Sequence, residues 1–247
     1  VWITSKLWNS AHAPEAVPAA LAKTLQDLQL ETLDLYLIHW PVSLRSGILL
    51  PETPEDFIAP ADLPLRETWR GMEAVVQQGL CRHIGVSNCS VRKLQDLLDS
   101  ATIAPEVNQV ESHPYLQQTA LLEFCRQAGI VFTAYSPLGS GDRPAAFKAA
   151  AEPVLLQDPT IQSIADRHHC TPAQVLIRWA LHRHTAVIPK STNPQRLAEN
   201  LAAPQVTLTA EDLASIAALD RHYRYVDGTF WTREGSPYTL ANLWDEP

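Results

Sequence analysis

Leu33-Asp34-Leu35-Tyr36-Leu37-Ile38 runs almost wholly apolar into His39-Trp40-Pro41. Six residues of this kind suit a strand buried on both faces of a parallel sheet. Similar short runs recur at Val1–Thr4, Arg82–Val86, Glu106–Val110, Ile130–Ala134 and Ala186–Ile188. Between them lie helical periodicities over 14–29, 65–79, 90–99, 118–128 and 160–168. Further helix starts carry cap chemistry at Thr171-Pro172, Asn193-Pro194 and Thr209. Strands alternating with helices in this way define an α/β fold.

The residues that follow the strands separate two architectures. Ser5-Lys6, His39, Ser87-Asn88, Tyr135-Ser136 and Lys190-Ser191 close five of the six runs, and Asn108-Gln109 lie near the end of the other. Functional groups on many different strand ends follow the logic of a (β/α)8 TIM barrel. An open doubly wound sheet gathers its site at one switch point, usually behind a Gly-rich turn, and no G-x-G-x-x-G occurs here. A barrel needs eight strands, six are visible, and the sequence opens inside a strand. The reading is therefore one barrel domain over residues 1–247, with strands 1 and 2 expected upstream of Val1. Leu49–Pro64 is expected as an excursion on the barrel rim.

Composition narrows the function. The 247 residues are 46% hydrophobic and 19% charged, enough for a sizeable core. A net charge of -8 without a basic run argues against nucleic acid as a partner, though not against one anionic ligand in a locally positive pocket. No apolar run approaches the length of a membrane span. Cys81, Cys89, Cys125 and Cys170 form no C-x-x-C pair and are expected as free thiols in a reducing, cytoplasmic compartment. No metal site is expected, since H-E-x-x-H is absent and His168-His169-Cys170 lacks ligand spacing. Neither a P-loop nor a nucleophile elbow occurs. Glu31, Asp34, Glu55 and Asp56 read as solvated faces or turns.

Each chemical signal has a plainer counterpart. Lys6 and Lys190 sit just after strands, where a lysine suits an anionic or titratable partner, but also where a surface lysine belongs. His39 is a structural hydrogen-bonder or, at the C-terminal end of a barrel strand, a catalyst. Ser87 and Asn88 cap the next helix or bind an amide-bearing ligand. Gln109, inside an apolar run, needs a partner from backbone or ligand.

Six runs in order resemble one family, the aldo-keto reductases. They are Ile3-Thr4-Ser5-Lys6-Leu7-Trp8, Asp34 to Pro41, Ile84-Gly85-Val86-Ser87-Asn88, Asn108-Gln109-Val110-Glu111 with His113-Pro114-Tyr115, Ala134 to Gly139, and Ile188-Pro189-Lys190-Ser191 continued by Arg196, Glu199 and Asn200. The resemblance implies a (β/α)8 barrel that binds NADPH/NADP+ and reduces small-molecule aldehydes or ketones as a cytoplasmic monomer. It implies Lys6 as the catalytic lysine and His39 as the histidine that orients the carbonyl. Ser87, Asn88 and Gln109 would hold the nicotinamide carboxamide, and Tyr135 would stack on the ring. Ser136, Leu138 and Ser140 would lie along the pyrophosphate. Lys190, Ser191, Thr192 and Arg196 would meet the 2′-phosphate, with Glu199 and Asn200 at the adenine. Trp8, Trp40 and Trp231 are candidate walls of the substrate pocket or ordinary core aromatics. A C-terminal loop over about residues 222–247 would close over that pocket.

The physical logic agrees with this map. Hydride transfer builds negative charge on the carbonyl oxygen, so a proton donor must stand beside it. The family uses a tyrosine whose acidity is raised by a nearby ammonium, with an aspartate holding the lysine. No tyrosine here matches that role: Tyr36 is inside a strand and Tyr135 is the stacking residue. With half of the tetrad visible, residues 1–247 alone are expected to be poorly soluble or inactive. The rival reading is a catalytically impaired NADP(H)-binding protein that lacks the family's tyrosine and aspartate. A third is another (β/α)8 enzyme, with Lys190-Ser191 on a substrate phosphate.

Overall fold

The computed structural model describes residues 1–149 and 151–246. The chain divides into two compact units. One comprises Val1–Gln109, Phe124–Ile130 and Gly228–Pro247, the other Val110–Glu123 and Val131–Asp227.

The first unit contains β1 (Thr4–Leu7), α1 (Val17–Leu28), β2 (Leu33–Ile38), β3 (Ser43–Leu44), β4 (Phe57–Ile58), α2 (Leu65–Gln77), β5 (Cys81–Ser87) and α3 (Val91–Leu98). It also contains the first residues of β6 (Val107–Glu111). β1, β2, β5 and β6 pair in parallel, with Lys6 opposite Leu37 and Ser87 opposite Gln109. Every residue of β2 is buried, as its apolar run requires. Val17, Leu21 and Leu25 form the buried face of α1, and Trp69, Met72 and Val75 that of α2. Gly85 permits close strand packing, since a Cβ there would stand 2.5 Å from the carbonyl oxygen of Val107.

Two expectations change in this unit. The first strand is Thr4–Leu7 rather than Val1–Thr4, so Lys6 lies within the strand. Apolar Val1 and Trp2 are exposed instead, and Trp2 stacks on His83. Hydrophobicity misplaces a strand that carries polar Thr4, Ser5 and Lys6. Asp34 is not a solvated acid: it is buried, accepts the Ile3 N–H at 2.8 Å and pairs with Arg82. Within the Leu49–Pro64 excursion, Phe57–Ile58 pairs antiparallel with Ser43–Leu44, a two-residue hairpin too short for sequence periodicity to reveal.

The second unit contains β7 (Val131–Tyr135), α5 (Pro159–Arg167), α6 (Pro172–His182), β8 (Ala186–Val187), α7 (Pro194–Ala202) and α8 (Ala210–Ala217). α4 (Thr119–Gln127) begins in it, and α9 (Leu240–Trp244) belongs to the first unit. β7 and β8 are parallel. Ile161, Ile164, Val175, Leu176, Trp179 and Ile216 make the core beneath them. The expected caps form: Thr171 accepts the Gln174 N–H, Asn193 that of Arg196, and Thr209 that of Asp212. His168 binds Asp212 at 2.7 Å, a structural use of that histidine. The four cysteines are free. No helix among the described residues is long and apolar enough to cross a membrane. The expected C-terminal loop is described to residue 246; Pro247 lies outside the described residues.

Candidate functional site

In the first unit, parallel pairing carries the ends of β1 and β2 to one place. The His39 N–H donates to the Leu7 carbonyl at 3.1 Å, so His39 leaves β2 beside the strand that bears Lys6. Both side chains are half-buried. Burial lowers the pKa of the Lys6 ammonium. Burial, then the positive charge of Lys6, pushes the His39 imidazole down to about 4. The His39 imidazole is therefore neutral at neutral pH and close enough to Lys6 to feel its charge. Trp8 meets His39 edge-on with ring centroids 5.2 Å apart, and its indole N–H donates to the Leu49 carbonyl at 2.9 Å.

The end of β5 is tied to the same place. Ser87 Oγ donates to the Gln109 carbonyl at 2.6 Å, and the Asn88 N–H donates to that carbonyl at 3.0 Å. Asn88 Nδ2 donates to the His39 carbonyl at 2.9 Å. Asn88 holds a left-handed backbone, φ 61°, of the kind retained where surroundings over-determine it. The Gln109 backbone carbonyl accepts from both Ser87 and Asn88. Trp8 is half-buried, whereas Trp40 and Trp231 are buried and pack together at 5.9 Å. Trp8 is thus the accessible indole beside His39, and Trp231 packs on it with ring centroids 6.3 Å apart.

The second unit holds a groove of about 660 Å³. Ser136, Leu138, Ser140, Lys190, Ser191, Thr192, Arg196, Glu199 and Asn200 all line it. Ser136, like Asn88, is left-handed, φ 49°, directly after its strand. Lys190 pairs with Asp142 at 3.0 Å, and that hydrogen bond lowers the Asp142 carboxyl. Arg196 is exposed and has no carboxylate partner among the described residues. Its backbone N–H donates to Asn193 Oδ1 at 3.1 Å, within the helix cap. Tyr135 is half-buried, and burial, reinforced by Glu111, raises its hydroxyl pKa well above the ordinary value. Thr171, Pro172 and Ala173 also line the groove. In the sequence they read only as a helix start; nothing in a cap motif says what its outer face borders.

The donor set fits a phosphorylated dinucleotide. A groove lined by two unburied cations, by hydroxyls at Ser136, Ser140, Ser191 and Thr192, and by the Asn200 amide and the Glu199 carboxylate offers groups that suit phosphate, ribose and base.

A family model described as the aldo/keto reductase family matches residues 1–221. Aldo/keto reductase slr0942 of Synechocystis sp. is 58% identical over 246 residues, which cover 100% of this chain and 75% of the relative. Aldo-keto reductase family 1 member A1 of Cricetulus griseus and of Gallus gallus are each 44% identical over 227 residues, covering 92% of this chain and 69% of the relative.

Proposed function

The chain belongs to the aldo/keto reductase family, and we propose that it reduces an aldehyde or ketone to the alcohol with NADPH. Membership carries a (β/α)8 barrel, oxidoreduction of carbonyls and a nicotinamide cofactor. The finer reading, NADPH and an aldehyde with an apolar body, is ours. The observation that carries it is His39 leaving β2 beside the strand that bears Lys6, its N–H donating to the Leu7 carbonyl at 3.1 Å.

When bound, the reduced nicotinamide supplies the hydride. His39, neutral, holds the carbonyl oxygen by a hydrogen bond and so fixes its distance and direction. Lys6 would stabilise negative charge near that oxygen and raise the acidity of the family's tyrosine, which gives the proton that completes the alcohol. Tyr36 and Tyr135 do not replace that donor: Tyr36 is buried inside β2 and Tyr135 ends β7. Ser87, Asn88 and Gln109 would hold the carboxamide, and Tyr135 would stack on the ring. Ser136, Leu138 and Ser140 follow the pyrophosphate. Lys190, Arg196, Ser191 and Thr192 recognise the 2′-phosphate, which distinguishes NADPH from NADH, and Glu199 and Asn200 meet the adenine. The protein acts in this reading as a cytoplasmic monomer on a small molecule.

Titration of nicotinamide fluorescence, run beside an assay of benzaldehyde reduction, tests the reading. Binding with turnover is expected of a protein that also carries the family's tyrosine and aspartate. Binding without turnover supports the impaired NADP(H)-binding protein instead, and absence of binding removes both.

A further inference from the structure

Residues 228–246 belong to the first unit and end on α3. At Gly228, φ 84°, a Cβ would stand 2.5 Å from Leu243, so the segment folds back on itself. Midway, the Tyr238 hydroxyl accepts the Ser43 N–H at 2.8 Å and donates to the Ile58 carbonyl at 2.9 Å, bridging β3 and β4. At its end, α9 sets Trp244 against Trp40 at 5.8 Å, the same indole that packs on Trp231. A helix of five residues has no stability of its own, so its position is decided by what holds its ends.

What holds the far end is Asp245. With a left-handed backbone, φ 53°, it turns its carboxylate onto the start of α3. Its Oδ2 accepts from Lys93 Nζ and from Ser90 Oγ, each at 2.5 Å, and its Oδ1 lies 3.8 Å from Arg92. Lys93 Nζ also donates to the Asn242 carbonyl at 2.7 Å. The Lys93 and Asp245 side chains are only 17% and 16% exposed, so solvent screens this pair far less than a surface ion pair. Ser90 is the N-cap of α3 and stands two residues after Asn88.

The geometry points to Asp245, Ser90 and Lys93 as a latch that holds Trp244 and Trp231 against Trp40, making them positioning residues that set how tightly a carbonyl substrate with a large apolar body is held. The inference rests on the carbonyl-reductase reading. The latch reaches the aromatic wall through Trp244, Trp40 and Trp231, and Trp231 packs on Trp8 at 6.3 Å. It makes no contact with Lys6.

The test compares the unmodified intact protein with Asp245→Ala and Asp245→Glu. Asp245→Ala is expected to raise KM for benzaldehyde about tenfold while KM for acetaldehyde, kcat and the NADPH Kd stay within about twofold. Asp245→Glu restores the benzaldehyde KM. Amide hydrogen exchange over residues 228–246 is expected to accelerate in Asp245→Ala alone, a readout that needs no turnover. Unchanged exchange, or equal losses on both aldehydes, overturns the latch. A lack of carbonyl reduction by the unmodified protein overturns the reading beneath it instead, while the exchange measurement still decides whether Asp245 holds the tail.

Discussion

The side-chain amide of Asn88 donates to the backbone carbonyl of His39 at 2.9 Å, joining the end of β5 to the residue that leaves β2. Asn88 does this from a left-handed backbone, φ 61°, which asparagine tolerates better than most residues. Two effects can therefore be separated. Asn88→Gly removes the hydrogen bond but relieves the backbone; Asn88→Ala removes the bond and keeps the strain. The expected losses are about 1–2 kcal/mol for glycine and about 1 kcal/mol more for alanine, read from urea midpoints. Both variants should also weaken NADPH binding.

The two histidines of this unit give a pH signature. Burial and the Lys6 charge hold His39 down at about 4; burial and the His39 charge hold His12, whose Nδ1 lies 3.0 Å from Ser43 Oγ, down at about 3. Each imidazole is kept neutral by the fold below its unfolded pKa of 6.5. The unfolded chain therefore binds more protons as the solution is acidified. Their contribution is fully present above about pH 6.5 and is lost as pH falls toward 4. The urea midpoint should drop between about pH 7 and pH 5, with a shallower slope in His12→Gln.

A separate acid-labile point lies in the second unit. Burial of Asp212 opposes its ionisation, but Arg167, the Thr209 N–H and His168 overcome that and leave its carboxyl below the ordinary range. The stability it contributes is present above the unfolded carboxyl pKa of 3.8 and is lost as pH falls below it. Asp212→Asn keeps the shape and removes the charge. It is expected to cost about 1–3 kcal/mol in thermal unfolding and to leave the NADPH Kd unchanged.

Cofactor choice is expected to lie in Arg196 and Lys190. A charge-assisted contact to phosphate contributes about 1.5–3 kcal/mol, so Arg196→Ala should weaken NADPH by about 10–100-fold. NADH binding should change little, because the 2′-phosphate is what the two cofactors do not share. Fluorescence titrations with each cofactor check this.

Much of this was legible in the residues. The unbroken apolar run Leu33–Ile38 is β2 with the same bounds, and the caps at Thr171, Asn193 and Thr209 start α6, α7 and α8 as their side chains require. Barrel logic singles out Lys6 and His39 as polar groups at strand ends, and the family resemblance alone gives them catalytic roles. The register of β1 was not legible, because apolar Val1 and Trp2 lie outside the pairing and polar Ser5 and Lys6 within it. Asp34 was misread because its partners are Ile3, through the backbone, and Arg82, 48 residues on. The same reason hides Asp245 and Lys93: no local pattern announces a pair that lies 152 residues apart.

The most direct measurement is the turnover of benzaldehyde by Lys6→Met in the intact protein, followed as loss of reduced nicotinamide absorbance at saturating NADPH. A group that assists proton transfer contributes about 10²–10⁴-fold, so kcat is expected to fall by at least about 100-fold while NADPH binds as before. Unimpaired turnover in that variant would contradict the assignment of the Lys6 ammonium to the reacting carbonyl.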